Sequence, residues 1–259
     1  MRASMLVLLW ACCACSEKAE HPAFAPTCDP GECLPPMPGK GSTGSEGGSD
    51  SGGGSELGTF SGDVITFATD FFDTGTVLTT GANVSAEGEN GGRVRASYDG
   101  SSFQLEGVLK TSSNWFLVEP VSTGLLPTLT PLDTRSATGG LSPGLAQSLT
   151  VDGIFALMGT ERAEERAQIV LHVVSAQGAS VSGVKAEVTA ERIGYRTSGT
   201  WLANDEGTDD SGLIFLGNVQ VGSALTTLNV DFSGSASGRA EVALQAGAVT
   251  IATVVVARK

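Results

Sequence analysis

Few side chains in this 259-residue chain are of types and spacings that do chemistry. His172 stands between Leu171 and Val173 in an apolar run, with no Ser or Cys elbow nearby. Alone it makes neither a hydrolytic triad nor a zinc site, and a strand histidine on the polar face accounts for it. The run Asp205-Glu206-Gly207-Thr208-Asp209-Asp210 gathers carboxylates through which Asp205, Asp209 and Asp210 could hold Ca²⁺, a hard cation taking about six to eight oxygens. Its spacing matches no calcium loop, and turn-forming Asp is the other reading. Carboxylate pairs able to hydrolyse a glycoside leave no mark in the sequence, so a hydrolase has no motif here. Aromatic side chains are the remaining lever, since at sandwich loops they stack on sugars or anchor a protein. Trp115 precedes Phe116-Leu117-Val118 and reads as core, as hairpin packing would also make of Tyr195 and Trp201. The alternative for Tyr195 and Trp201, in their Gly/Thr/Ser-rich context, is exposure, making the 194–206 hairpin a candidate recognition face.

Composition narrows the partners. The formal charge is −13 with 15 Lys and Arg in all, nowhere clustered, so no electrostatic footprint exists for nucleic acid or anionic head groups. Cysteine occurs at positions 12, 13, 15, 28 and 33 and nowhere beyond, which excludes disulfides, a thiolate nucleophile and a thiolate metal site from the later chain.

Those cysteines sit in a distinctive N-terminus. Met1-Arg2-Ala3-Ser4 gives a positive start, and Met5 to Ala11 is an apolar run too short to span a bilayer. The sequence Ala11-Cys12-Cys13-Ala14-Cys15-Ser16 then resembles the cleavage and acylation site of bacterial lipoproteins. Cys15 follows a small residue but has Cys12 where an aliphatic one is usual. Cys12 has Leu9 and Ala11 in place but bulky Trp10 between them, and it remains the rival site. The resemblance implies a signal peptide over 1–14, a lipid on Cys15 as the membrane contact, and location in the cell envelope. Ser16 after the cysteine resembles the outer-membrane sorting rule, with the cell surface the other outcome. Acyl chains contribute about 0.8 kcal/mol per buried CH₂, so two or more hold a protein stably.

Residues 15–58 then read as a tether. Six prolines between Pro22 and Pro38 are followed by Gly39 to Ser55, built almost wholly of Gly, Ser, Thr, Glu and Asp, which cannot bury enough surface to fold. As a flexible coil it reaches roughly 35 Å. Cys28-Asp29-Pro30-Gly31-Glu32-Cys33 places two cysteines around a Pro-Gly turn, which in an oxidising compartment favours a local disulfide.

Beyond Thr59 the chain reads as strands. In the first stretch these are Val64–Phe67, Ala82–Ala86, Arg93–Ser97, Phe103–Leu105 and Trp115–Val118. From Ala167 the grammar restarts with Ile169, Leu171 and Val173 on one face, then Val184–Thr189, Leu213–Leu216, Leu225–Phe232, Ala240–Leu244 and Ala248–Ala257. The segment Tyr98 to Val108 matches Asp209 to Val219 residue by residue in the spacing of Asp, apolar residues and Val, so a tandem repeat of about 100 residues is the economical reading. Between the halves Val151, Ile154, Phe155 and Met158 recur at helical spacing, with Thr150 as N-cap and Gly159 as C-cap, and 160–166 reads as a solvated linker.

Gly81-Ala82-Asn83-Val84 before Asp99-Gly100, Phe103, Leu105 and Val108, and Gly183-Val184 before Thr208, Asp210, Gly212, Leu216 and Val219, resemble the carboxypeptidase regulatory-like, transthyretin-type family of β-sandwich domains, which is CnaB-like. The resemblance implies an all-β tandem of β-sandwich units joined by a short helix: unit 1 over 59–141, a connecting segment over 142–166, unit 2 over 167–259. Some members of this class form Lys–Asn cross-links, but Val64–Phe67 and Ile169–Val174 contain no Lys. The function this points to is non-enzymatic, structural or recognition work on a protein or carbohydrate of the envelope, without a cofactor. Service as an accessory, docking subunit of an envelope enzyme or secretion complex is the alternative.

Overall fold

A computed structural model describes residues 56–67, 71–72, 75–203, 206–222 and 224–259, all inside one compact unit, Glu46–Lys259. Cys12, Cys15, Cys28, Cys33 and Asp205 lie outside the described residues.

Among the described residues the protein is all-β with one α-helix. The first half runs β1 (Leu57–Gly62), β2 (Ile65–Thr66), β3 (Thr76–Val77), β4 (Ala82–Glu87), β5 (Arg93–Tyr98), β6 (Phe103–Leu109), β7 (Asn114–Pro120), β8 (Leu125–Leu126), β9 (Thr128–Leu132) and β10 (Gly144–Gln147). After α1 (Ser148–Leu157) come β11 (Ala167–Val174), β12 (Val184–Glu187), β13 (Arg192–Thr197), β14 (Thr200–Leu202) and β15 (Leu213–Val219). The chain closes with β16 (Thr226–Gly234), β17 (Ala236–Leu244), β18 (Val249–Val255) and β19 (Ala257–Arg258). The long alternating runs form strands as their pattern dictates. Strands β1, β3, β8, β9 and β10 were not expected, because two to six residues carry too little periodicity to stand out, and β1 begins at Leu57, inside the stretch read as tether.

Each half is a sandwich built on the same plan. In the first, Phe60 of β1 and Phe103, Leu105 and Val108 of β6 bury against Val84, Ala86, Phe116 and Val118 of β4 and β7. In the second, Ile169, Leu171 and Val173 of β11 with Ile214 and Leu216 of β15 bury against Val184, Val230 and Val242. Alternate residues of each strand point inward, and each large aliphatic or aromatic side chain contributes about 1.5–3 kcal/mol on burial.

The matched segments share an irregularity. Strand β6 slips register against β1 so that Gly107 is bypassed, and β15 slips against β11 around Asn218. Gly107 and Asn218 occupy the same place in the two segments, and both have left-handed backbone, φ 77° and 53°. A β-bulge needs this conformation, and Asn tolerates it better than most residues with a Cβ. The preceding turn corrects the sequence match by one residue. Asp99 Oδ1 accepts the Ser101 N–H at 3.0 Å and its hydroxyl at 2.6 Å, and it is Asp209, not Asp210, that repeats this with Ser211 at 2.9 and 2.5 Å. The second turn is therefore one residue longer before its strand.

One sheet joins the halves. Its order is β14-β13-β15-β11-β18-β9-β7-β4-β5, with the junction at β18–β9, a parallel pairing. Helix α1 lies over this sheet and seats Val151, Ile154 and Phe155 against Val170, Leu213, Phe215 and Ile251. The helix starts two residues before Thr150: its N-cap is Gln147, with no side-chain cap bond, and its C-cap is Met158, followed by Gly159 at φ 69°. The run 160–166 is not simply solvated. The Asn218 side chain accepts from Ala163 N–H at 2.9 Å and donates to the Glu161 carbonyl at 3.0 Å, while Arg162 meets Asp152 at 2.7 Å, which ties the connection to the β15 bulge.

Candidate functional site

The structure distributes the residues singled out above rather than gathering them. Tyr195 and Trp201 are buried, at 4% and 8% accessible, as hairpin packing implies and not as the alternative of an exposed recognition face requires. Tyr195 points into the second sandwich, where its hydroxyl accepts the Ala186 N–H at 3.2 Å. Trp201 packs its ring edge-on to Phe215 at 6.0 Å, and Phe155 meets the same ring at 5.2 Å. A hairpin of β13 and β14 thus forms, but its aromatics face inward because β13 joins the sheet and α1 provides an apolar surface beneath Trp201. The polar sequence around them reports the neighbours, not the face on which the rings lie.

His172 is on β11, half-buried, with Nε2 2.8 Å from the Ser180 hydroxyl and its ring 5.1 Å from Phe72. In the acidic loop Asp209 is spent on a turn. Asp209 holds Ser211 through one oxygen and the Ser198 N–H through the other at 2.8 Å. Burial pushes the Asp209 carboxyl up, but the hydrogen bonds from Ser211 and Ser198 and the charge of Arg196 outweigh it and hold the group below the usual carboxylate range. Asp210 is exposed, and Thr208, close by, donates to the Val181 carbonyl at 2.7 Å. Among the described residues no group of three or more His, Cys, Asp or Glu side chains could hold a metal ion.

A different place stands out, where the shared sheet splits. A cleft of about 470 Å³ opens between β9 and β18, lined by Thr130, Pro131 and Leu132 on one side and Ile251, Ala252 and Thr253 on the other. Phe67, Phe71 and Phe72 contribute an aromatic wall, and among the described residues every lining side chain is uncharged. The β9–β18 ladder has two rungs, Val249 opposite Thr128 and Thr250 opposite Leu129, and then stops. Both strands continue on their outer sides, β18 with β11 as far as Val255 opposite Val174, and β9 with β7 as far as Leu132 opposite Asn114.

Proline explains why the ladder ends. The Val249 N–H donates to the Pro127 carbonyl at 2.8 Å, so odd-numbered peptide groups of β18 face β9. The next rung needs an N–H from residue 131 to reach the Ile251 carbonyl, and Pro131 has none. The strands separate from there. Thr130, 6% accessible, lines the opening, and its hydroxyl has no hydrogen-bond partner among the described residues. Sequence reasoning missed this site because its cause is one proline in a short strand whose partner lies about 120 residues away.

No protein-family model and no curated protein matches the chain. Among solved structures, a streptococcal ancillary pilin is similar at 11% identity and a TM-score of 0.23, covering 78% of this chain and 69% of that one. Likeness at that level carries no functional information, so the cleft speaks through its own chemistry. The uncharged described walls, interrupted strand pairing and a buried unpartnered hydroxyl suit binding by shape and hydrogen bonds. Among the described residues no helix is long and apolar enough to cross a membrane.

Proposed function

We propose that this chain is a non-enzymatic binding protein of the cell envelope, lipid-anchored at Cys15, whose two transthyretin-type units act as one rigid body on the end of the tether. The observation that carries this reading is the nine-stranded sheet, which takes strands from both halves and opens into an uncharged cleft at their junction. A body held together through its central sheet transmits load and presents a fixed surface, which suits bracing or recognition. The shared bulge at Gly107 and Asn218 supports taking the halves as copies of one unit. The anchor rests on the Ala11 to Ser16 sequence, and the disulfide between Cys28 and Cys33 on its Pro-Gly turn.

The test uses the full chain in its own host. Labelling with a radioactive fatty acid is expected to mark the wild type and the Cys12→Ala variant and to spare Cys15→Ala, which should fractionate away from membranes. Label retained in Cys15→Ala and lost in Cys12→Ala would move the anchor, and label in none of the three would remove it. Cross-linking of the anchored protein in intact cells tests the binding role, with a discrete, reproducible adduct expected and only random-collision products counting against it.

A further inference from the structure

We infer that the cleft between β9 and β18 is an acceptor site for an extended, uncharged polypeptide strand, supplied by an unstructured segment of a partner protein. This deepens the binding reading above and rests on it. The argument starts from main-chain groups. Because β18 peptide groups alternate sides and its even positions pair with β11, as the Val256 N–H does with the Val174 carbonyl at 2.9 Å, the N–H groups of Thr253 and Val255 and the carbonyls of Ile251 and Thr253 face the cleft. They repeat every two residues, about 6.6 Å, which is the spacing of another peptide backbone. The Pro131 carbonyl faces them from β9, and Thr130, whose buried hydroxyl is unpartnered, lines the same cleft. Unpaired strand edges are recognition templates, and a peptide that adds a strand satisfies donors and acceptors together.

The walls select the occupant. Their described residues carry no charge although the chain as a whole is at −13, so a charged segment would be desolvated against them without a partner. The acidic Gly/Ser stretch between Gly39 and Ser55 of this chain is therefore a poor guest, having neither β-propensity nor apolar side chains for the Phe71 and Phe72 wall. Every strand of a second folded copy is already paired along an edge and would not fit between two strands. An extended segment free on both edges fits, with apolar side chains for the phenylalanines and small polar ones for Ser112 and Ser113, all of which line the cleft.

The probe is an acetylated hexapeptide of alternating Thr and Val, with a control in which the third residue is proline. Amide hydrogen exchange is followed residue by residue in the full mature chain. At saturating peptide, exchange at Thr253 and Val255 should slow at least tenfold, and the proline control should have no effect. Two variants bracket the site. Pro131→Val supplies the missing N–H, which lets β9 and β18 zip further; Thr253 should then be protected without peptide, and peptide affinity should fall at least tenfold. Thr253→Pro removes an N–H that points only into the cleft, so exchange along β11 should stay unchanged while binding is lost. Peptide binding that leaves Thr253 and Val255 unprotected, or that is equal in wild type and Pro131→Val, overturns the proposal, as does absence of binding to the wild type. If Pro131→Val abolishes peptide binding yet the in-cell adduct persists, the envelope partner binds elsewhere and the strand-acceptor role is overturned while the binding role stands. Loss of adduct in wild-type cells with peptide binding intact strikes the envelope reading instead.

Discussion

Strands β6 and β15 hold equivalent positions in the two halves and share a bulge, yet they live in different surroundings. Along β6 burial alternates, with Phe103, Leu105 and Val108 inside and Gln104 and Glu106 in solvent, whereas all seven residues of β15 are buried. Position 104 of the first segment corresponds to 215 of the second, so a solvated Gln in one copy is a buried Phe in the other. The difference comes from α1, which follows the first unit and covers the outer face of the second. A repeat fixes the inward face of a strand; what the chain places beyond it decides the outward face.

The sharpest way to break that comparison is to delete both members of the pair. Phe215→Ala removes the ring shared by Phe155 and Trp201 and should cost about 3–5 kcal/mol, while Gln104→Ala should stay within about 0.5 kcal/mol, both read by urea unfolding. Equal costs would show that the outward faces are not as different as their burial. A smaller contrast is expected at the bulges. Asn218→Gly keeps the backbone angle but loses the bonds to Ala163 and Glu161, and should cost about 1–3 kcal/mol. Gly107→Asn keeps an angle Asn tolerates, its nearest obstacle being Val94 Cγ1 at 3.9 Å, and should shift stability by no more than about 1 kcal/mol.

The smallest effect belongs to the turns. The Ser101 hydroxyl and N–H hold the Asp99 carboxyl below its ordinary value, and Asp209 is held down against its own burial. A depressed folded pKa gives stability that is present above the unfolded value, near 3.8, and is lost as pH falls through the lower folded value. Urea midpoints measured between pH 2 and 6 should therefore drop below about pH 4 in the wild type. The drop should be less steep in Asp209→Asn, and Asp99→Asn, fully exposed, should change it less. A profile that Asp209→Asn leaves unaltered would remove that carboxylate from the acid sensitivity.

The burial of Tyr195 and Trp201 carries the same lesson as β15. Both stand among Gly, Thr and Ser, and no local pattern marks them as inward. Their faces are set by the pairing of β13 with β15 and by the helix beneath, contacts made by residues far apart in the chain.

From the sequence alone came the all-β class, the long strands, the inward faces of β6, β11 and β15, the helix near 150 and the likeness of the 98–108 and 209–219 segments. These rest on local periodicity, turn residues and repetition, which physical chemistry imposes residue by residue. The tertiary structure alone decided that the halves share a sheet, that α1 hides the aromatics and that the ladder fails at Pro131. Each depends on which distant strand becomes a neighbour. A missing N–H matters only once a carbonyl, here that of Ile251, stands opposite it.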